Sequence, residues 1–350
     1  MIEERLKKTT IYTAIFAVLS LVVMFYRAGT KNIMIVEATK EQAEVVDLEN
    51  AYKLEIMEPS ADKGKGTLVI PLEQGVGSDN ITFEERHSEH QFILYVSGKD
   101  PNFYETNSAI SDLKLITDAN WIRTDENGGV CLTFNLDGLY ENETSLGDKE
   151  VVVTFNSPAD LYENIVVIDP VDDAGLSLIP YIKKNMDKAE NIRVYYTRQS
   201  GGDTEEKAAT ALIDDSAADF YIQVGADADD EGTSGVKTYY NDRYFIREFG
   251  NIELADRLEW NLAVNAGVMA RGLSVVDHEN SRIMNSHIPS AYVTIGNTKN
   301  ADDELLMTKD DYLEKCALGI CNGITEAFSV VNPQEEVEET DALQGIINGN

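Results

Sequence analysis

Three aspartates crowd the segment IVVIDPVDDAG, Ile165 to Gly175: Asp169, Asp172 and Asp173. Carboxylates where a strand runs out can take a proton from water or hold a hard cation through oxygen. Neither histidine nor cysteine stands among them, so the donors suit calcium better than zinc. A second acidic group, DADDEG, begins at Asp227. It places Asp227, Asp229, Glu231 and Gly232 at the first, third, fifth and sixth positions of a calcium-type loop. The twelfth position is Thr238, where a bidentate Glu belongs. An acidic loop on an acidic chain therefore reads first as a solvated surface. His87 and His90, in RHSEH, are three apart with no third ligand nearby in sequence, and read as an exposed pair before a metal site. The SDLK of Ser111 to Lys114 fits S-x-x-K but has neither partner motif. No G-x-S-x-G, P-loop, G-x-G-x-x-G or H-E-x-x-H occurs.

Two kinds of element must position these residues. Over 30–160 the runs TLVIPL, ITFEE, QFILYVSG, VCLTFNL and EVVVTF are rich in β-formers and separated by Gly, Asn and Asp clusters. That predicts an all-β domain, with DENGGV as a hairpin turn between WIRT and CLTF. From about residue 164 the strand-like runs IVVID, IRVYYTR, DFYIQVGA, GVKTYY and SAYVTIG alternate with helical stretches at 176–189, 204–217, 251–269 and 310–328. Alternation predicts a layered α/β domain over 161–331. Leu313, Cys316, Ala317, Ile320 and Ile324 recur at helical spacing and predict one buried helix face.

The ends of the chain read differently. Thr9 to Tyr26 carries no charge and follows Arg5, Lys7 and Lys8, which predicts a transmembrane anchor over 1–29 with the bulk of the chain outside the cytoplasm. No A-x-A-like cleavage site follows it. Residues 332–350 are acidic and short of large apolar side chains, as a disordered tail would be. With 29 basic against 62 acidic residues the formal charge is −33, which argues against nucleic acid and against anionic lipid or wall polymers. Cys131, Cys316 and Cys321 lack metal or disulfide spacing and read as small buried hydrophobes.

The second domain resembles the zinc-dependent N-acetylmuramoyl-L-alanine amidases. The family's opening D-P-G-H-G-G aligns with Asp169, Pro170, Val171, Asp172, Asp173 and Ala174. A strand ending in T-R matches Thr197 and Arg198, and A-D-x-F-I-S-I-H-A-N matches ADFYIQVGAD, Ala218 to Asp227. G-x-x-T-Y-Y is kept as Gly235, Thr238, Tyr239 and Tyr240. L-A, R-G and the closing P-A-x-L-x-E-x-G follow as Leu254–Ala255, Arg271–Gly272 and Pro289 to Gly296.

The resemblance implies a twisted sheet with helices on both faces, and a zinc site at the strand ends. Its ligand and base positions are here Asp172, Gly225 and Thr294. Those residues cannot supply three zinc ligands and a carboxylate base, so no catalytic residue and no cofactor is expected. Arg198, Tyr240 and Arg271 occupy family-matched positions and, with His287, are the candidate binding residues. The expected protein is a membrane-anchored pseudo-amidase that binds peptidoglycan or a cell-wall or division protein. The alternative is an active amidase with a site rebuilt around Asp172, His287 or a nearby carboxylate.

Overall fold

The computed structural model describes residues 51–333, apart from 61–62, 99, 125–128, 190, 200–205, 230–231, 244–245 and 277–281. The expected anchor at Thr9 to Tyr26, the center of the DENGGV turn and the tail beyond 333 lie outside the described residues. Among the described residues no helix is long and apolar enough to cross a membrane. The chain divides after Ser157 into two compact units.

The described residues of the first unit form ten strands: β1 (Tyr52–Lys53), β2 (Ile56–Met57), β3 (Leu68–Pro71), β4 (Ile81–Arg86), β5 (Gln91–Val96), β6 (Ala109–Ile110), β7 (Ile116–Arg123), β8 (Val130–Leu136), β9 (Glu141–Leu146) and β10 (Glu150–Asn156). They form two five-stranded sheets, β1-β7-β8-β5-β4 and β2-β6-β3-β10-β9. Leu68, Ile70, Val151 and Val153 from the second sheet share one core with Phe83, Phe92, Leu132 and Phe134 from the first. Burying side chains of this size contributes about 1.5–3 kcal/mol each, which joins the sheets as a sandwich. The alternation in β10, with Val151 and Val153 fully buried, is the period of two that fixes which face points inward. β9 escapes a sequence reading because ENETSL has one large apolar residue; it lies at a sheet edge, where little burial is required.

The second unit orders α1 (Pro158–Leu161), β11 (Asn164–Pro170), α2 (Asp173–Met186), β12 (Ile192–Tyr196), α3 (Glu206–Ser216), β13 (Phe220–Asp227), β14 (Val236–Tyr240), α4 (Asn251–Ala266), β15 (Ala270–Val275), β16 (Ser290–Asn297), α5 (Ala301–Leu306) and α6 (Asp310–Val331). One six-stranded sheet results, β12-β11-β13-β16-β14-β15. β12, β11, β13 and β16 run parallel; β14 turns antiparallel to β16. β11 and β13 are buried along their whole length, which explains their near-continuous apolar sequence. Val166, Ile168, Phe220 and Ile222 pack with α2, α4 and α6 in one core. Ile165, Val167 and Tyr221, the alternate residues, are buried outside that cluster. Right-handed crossovers put α3 on the face opposite α2, because β11 to β12 and β12 to β13 step in opposite directions along the sheet. Helices thus cover both faces of a mixed α/β sheet.

The face expected on the last helix is present: Leu313, Cys316, Ala317, Ile320 and Ile324 are all buried. Burial pushes the Cys316 and Cys321 thiols up to about 12, so both stay protonated and inert. Two glycines on the same helix bring it against α4. A Cβ at Gly319 would meet the Leu262 Cα at 2.6 Å, and one at Gly323 would meet the Leu258 Cα at 3.0 Å. Backbone cannot yield as a flexible side chain can. Gly319→Val is expected to destabilize the fold by about 1–3 kcal/mol through overpacking, read as a lower midpoint in urea unfolding at unchanged slope.

Candidate functional site

The residues singled out in the sequence converge on the carboxyl ends of the parallel strands, where open α/β sheets carry their sites. β11 ends at Pro170, and Asp172 caps α2 from extended backbone. Its Oδ1 accepts from the Gly175 backbone N–H at 2.8 Å, a helix N-cap. Its Oδ2 accepts from the Ala226 N–H at 2.8 Å, at the end of β13. One carboxylate therefore joins the start of α2 to the neighboring strand. Gly175 lets the helix come that close: a Cβ there would lie 2.2 Å from the Val224 carbonyl oxygen.

Gly225 and Thr294 sit on adjacent strands and are direct partners in the β13–β16 register. A Cβ at Gly225 would meet Val171 Cγ2 at 2.7 Å and Asp172 Oδ2 at 2.8 Å. The volume in which a side chain at 225 would begin is thus filled by Asp172 and Val171. Thr294 is fully buried, and its hydroxyl donates to the Lys237 carbonyl at 2.8 Å on β14. The three positions are together, as the sequence reading expected, and each polar group has an internal partner. They do not fit zinc. Gly225 has no donor, Thr294 spends its proton on backbone, and a metal at Asp172 would have to displace two amide donors. Among the described residues of this unit, no three histidine, cysteine or carboxylate ligands gather closely enough for one ion.

The calcium reading of DADDEG is corrected by an arginine. Arg271 Nη1 reaches Asp227 Oδ2 at 2.9 Å, and Arg271 Nη2 pairs with Asp229 Oδ2. Asn297 Nδ2 donates to Asp229 Oδ1 at 2.6 Å, and Tyr239 donates to Asp227 Oδ1 at 3.0 Å. The guanidinium supplies the positive charge that a cation would bring. Its hydrogen bond, ahead of the charge attraction, holds the Asp229 carboxyl below the usual range. Glu231 lies outside the described residues. Arg271 is 7% exposed and so acts inside the fold.

Arg198 also turns inward, donating from Nε to the Pro170 carbonyl at 2.8 Å and tying β12 to the end of β11. Tyr240 packs against the helix-side core at the end of β14. His287 is exposed, three residues before β16 begins. Ser290 pairs with Tyr221 and Thr294 with Gly225, so His287 stands at the opposite end of the strands from Asp172. His278 lies outside the described residues. A site rebuilt from His287 and Asp172 is therefore not assembled.

Sequence reading missed the densest polar cluster. Asp169 is fully buried and accepts from Thr197 Oγ1 at 2.5 Å, the Tyr221 hydroxyl at 2.6 Å, Gln223 Nε2 at 3.0 Å and Arg282 Nη1 at 2.6 Å. Burial opposes its charge, but these donors outweigh it and hold the carboxyl below the usual range. Burial, with the charge of Asp169, pushes the Tyr221 hydroxyl up, so it remains a donor. The available signal was Tyr221 and Gln223 at strand spacing, polar on one face of an otherwise apolar run.

Residues 172–326 match the family model described as N-acetylmuramoyl-L-alanine amidase. Among curated proteins none matches the chain. Solved structures similar to it include the catalytic domain of CwlV, an amidase from Bacillus (Paenibacillus) polymyxa var. colistinus, at 19% identity and TM-score 0.43, covering 48% of this chain and 99% of that one. Another is an N-acetylmuramoyl-L-alanine amidase from Clostridium difficile 630, at 20% identity and TM-score 0.43, covering 47% of this chain and 97% of that one. A third is the CwlD amidase of Clostridioides difficile, solved in complex with the GerS lipoprotein, at 17% identity and TM-score 0.40, covering 48% and 100%.

Two outcomes follow from the carboxylates. Asp172→Ala removes a cap and strands the Ala226 amide, at an expected cost of about 2–4 kcal/mol in denaturant unfolding. Asp169 has a folded-state pKa below its unfolded value, so its contribution is complete above about pH 4 and is lost as pH falls through the depressed value. The acid limb of a stability-against-pH curve should be shallower in Asp169→Asn than in the wild type, with the variant less stable at neutral pH.

Proposed function

Residues 172–326 form a domain of the N-acetylmuramoyl-L-alanine amidase family, and from that premise we propose that this chain is a non-catalytic member that binds peptidoglycan at the cell surface. The observation that carries the proposal is the Asp172 carboxylate, which lies against Gly225 with both oxygens engaged by backbone amides. A hydrolase of this bond needs an activated water and a base beside it. Asp172, Gly225 and Thr294 offer no such pair. What remains is the scaffold, and a scaffold without chemistry can still recognize the polymer its relatives cut. The uncharged Thr9 to Tyr26 stretch supports an anchored arrangement, with the β-rich residues following the anchor along the chain and the amidase domain after them. The charge of −33 favors peptide or sugar contacts over anionic wall polymers.

The test pairs turnover with binding. Full-length protein supplied with zinc is incubated with purified peptidoglycan, and newly exposed alanine amino groups are counted while co-sedimentation measures binding. Co-sedimentation without release of amino groups is the expected result. Release that Asp172→Ala abolishes would establish a working amidase and end the pseudoenzyme reading. Neither binding nor release would move the search to a protein partner in the wall or division machinery.

A further inference from the structure

Outside the amidase domain, the β sandwich assembles a ligand set that sequence spacing concealed. His87 follows β4 directly, in a short 3-10 turn that His90 closes in the left-handed conformation at φ 54°. Its Nε2 lies 3.2 Å from Glu85 Oε2, with both side chains largely buried. Glu141, the first residue of β9, is buried beside them. One ligand atom from each of Glu85, His87 and Glu141 lies within 4.8 Å of the others. The third ligand absent from RHSEH is thus supplied from more than fifty residues away in sequence.

From this geometry we propose that Glu85, His87 and Glu141 form a zinc-class divalent cation site that staples the two sheets of the sandwich. β4 is the edge strand of one sheet and β9 the edge strand of the other, so the site closes the same open side of the sandwich from both layers. Zinc bonds of about 2.0–2.1 Å in a tetrahedron put ligand atoms about 3.3 Å apart, close to the observed separation of His87 and Glu85. One imidazole and two carboxylates carry two negative charges, which a divalent ion balances. Mixed nitrogen and oxygen donors favor zinc over calcium.

Asn142 is the supporting group. Its Nδ2 donates to Glu85 Oε1, fixing the carboxylate, while its Oδ1 is buried and accepts no hydrogen bond. Glu85, His87, His90 and Asn142 line one small cavity beside the ligand set. Arg86 stands in the same wall, with its Nε held by Glu84 Oε1 at 2.5 Å and its Nη1 by Glu89 Oε2 at 3.5 Å.

The experiment uses the full chain. Wild type, His87→Gln, Glu141→Gln, Asn142→Ala and Asp172→Asn are each equilibrated with zinc, freed of excess and analyzed for bound metal. Melting curves with and without zinc are recorded in parallel. One equivalent of zinc is expected in wild type and in Asp172→Asn, and none in His87→Gln or Glu141→Gln. Asn142→Ala should bind about tenfold more weakly. Zinc well above its Kd should raise the melting temperature of the sandwich by about 5 °C or more in wild type and leave the two ligand variants unmoved. The variants are compared with metal-free wild type by far-UV circular dichroism; if either loses its fold, the other and Asn142→Ala carry the comparison. No zinc in wild type, zinc retained by both ligand variants, or calcium bound that zinc does not displace would each overturn the proposal. Zinc lost only in Asp172→Asn would place the metal in the amidase domain, overturning both this proposal and the non-catalytic reading.

Discussion

A carboxylate with no exposure at the center of a sheet is the constraint around which the second unit is arranged. Asp169 is ionized in an interior where an unpaired charge would cost several kcal/mol, so its surroundings must supply donors. Thr197 comes from beyond β12, Tyr221 and Gln223 from β13, and Arg282 from the turn before β16. The four donors fix three pieces of chain to β11. The strand order and the parallel register place those side chains on one face, and the charge then penalizes any slip, since a shift of one residue would turn Tyr221 and Gln223 away. Three residues on, Asp172 repeats the logic with backbone donors, and Asp227 and Asp229 repeat it with Arg271.

These clusters change what an acidic strand end means. A loop of aspartates invites a cation, and in this domain the cations are arginines already built into the chain. Arg282 answers Asp169, and Arg271 answers Asp227 and Asp229. The chain's strong negative charge is therefore not evenly available: at the strand ends it is spent on internal partners. In the sandwich the balance differs, because Glu85 and Glu141 gather about one imidazole, while the neighboring guanidinium pairs with Glu84 and Glu89.

Legibility in the sequence followed periodicity. β11, β13 and α6 announced themselves through apolar runs and a helical stripe that burial demands, and the expected stripe is the buried one. β15 went unread as a strand because its side chains are only half buried at the sheet edge, with Arg271 and Gly272 breaking any apolar pattern. Asp172, Gly225 and Thr294 were legible as a group, since motif order reports strand ends. Their partners were not, because amide donors leave no mark in a sequence. The grouping of Glu141 with His87 was invisible for a related reason: it depends on which edges of two sheets coincide, and no local spacing encodes that.

The contact between Asp172 and the bare backbone of Gly225 couples the two positions. A side chain has no room at position 225 while the carboxylate stands 2.8 Å from where its first carbon would sit. Withdrawing the carboxylate first leaves two amides without acceptors. Either single change is penalized, so the two positions are strongly non-additive and can change safely only together. The pair works as a latch: neither position can be altered alone without a penalty at the other.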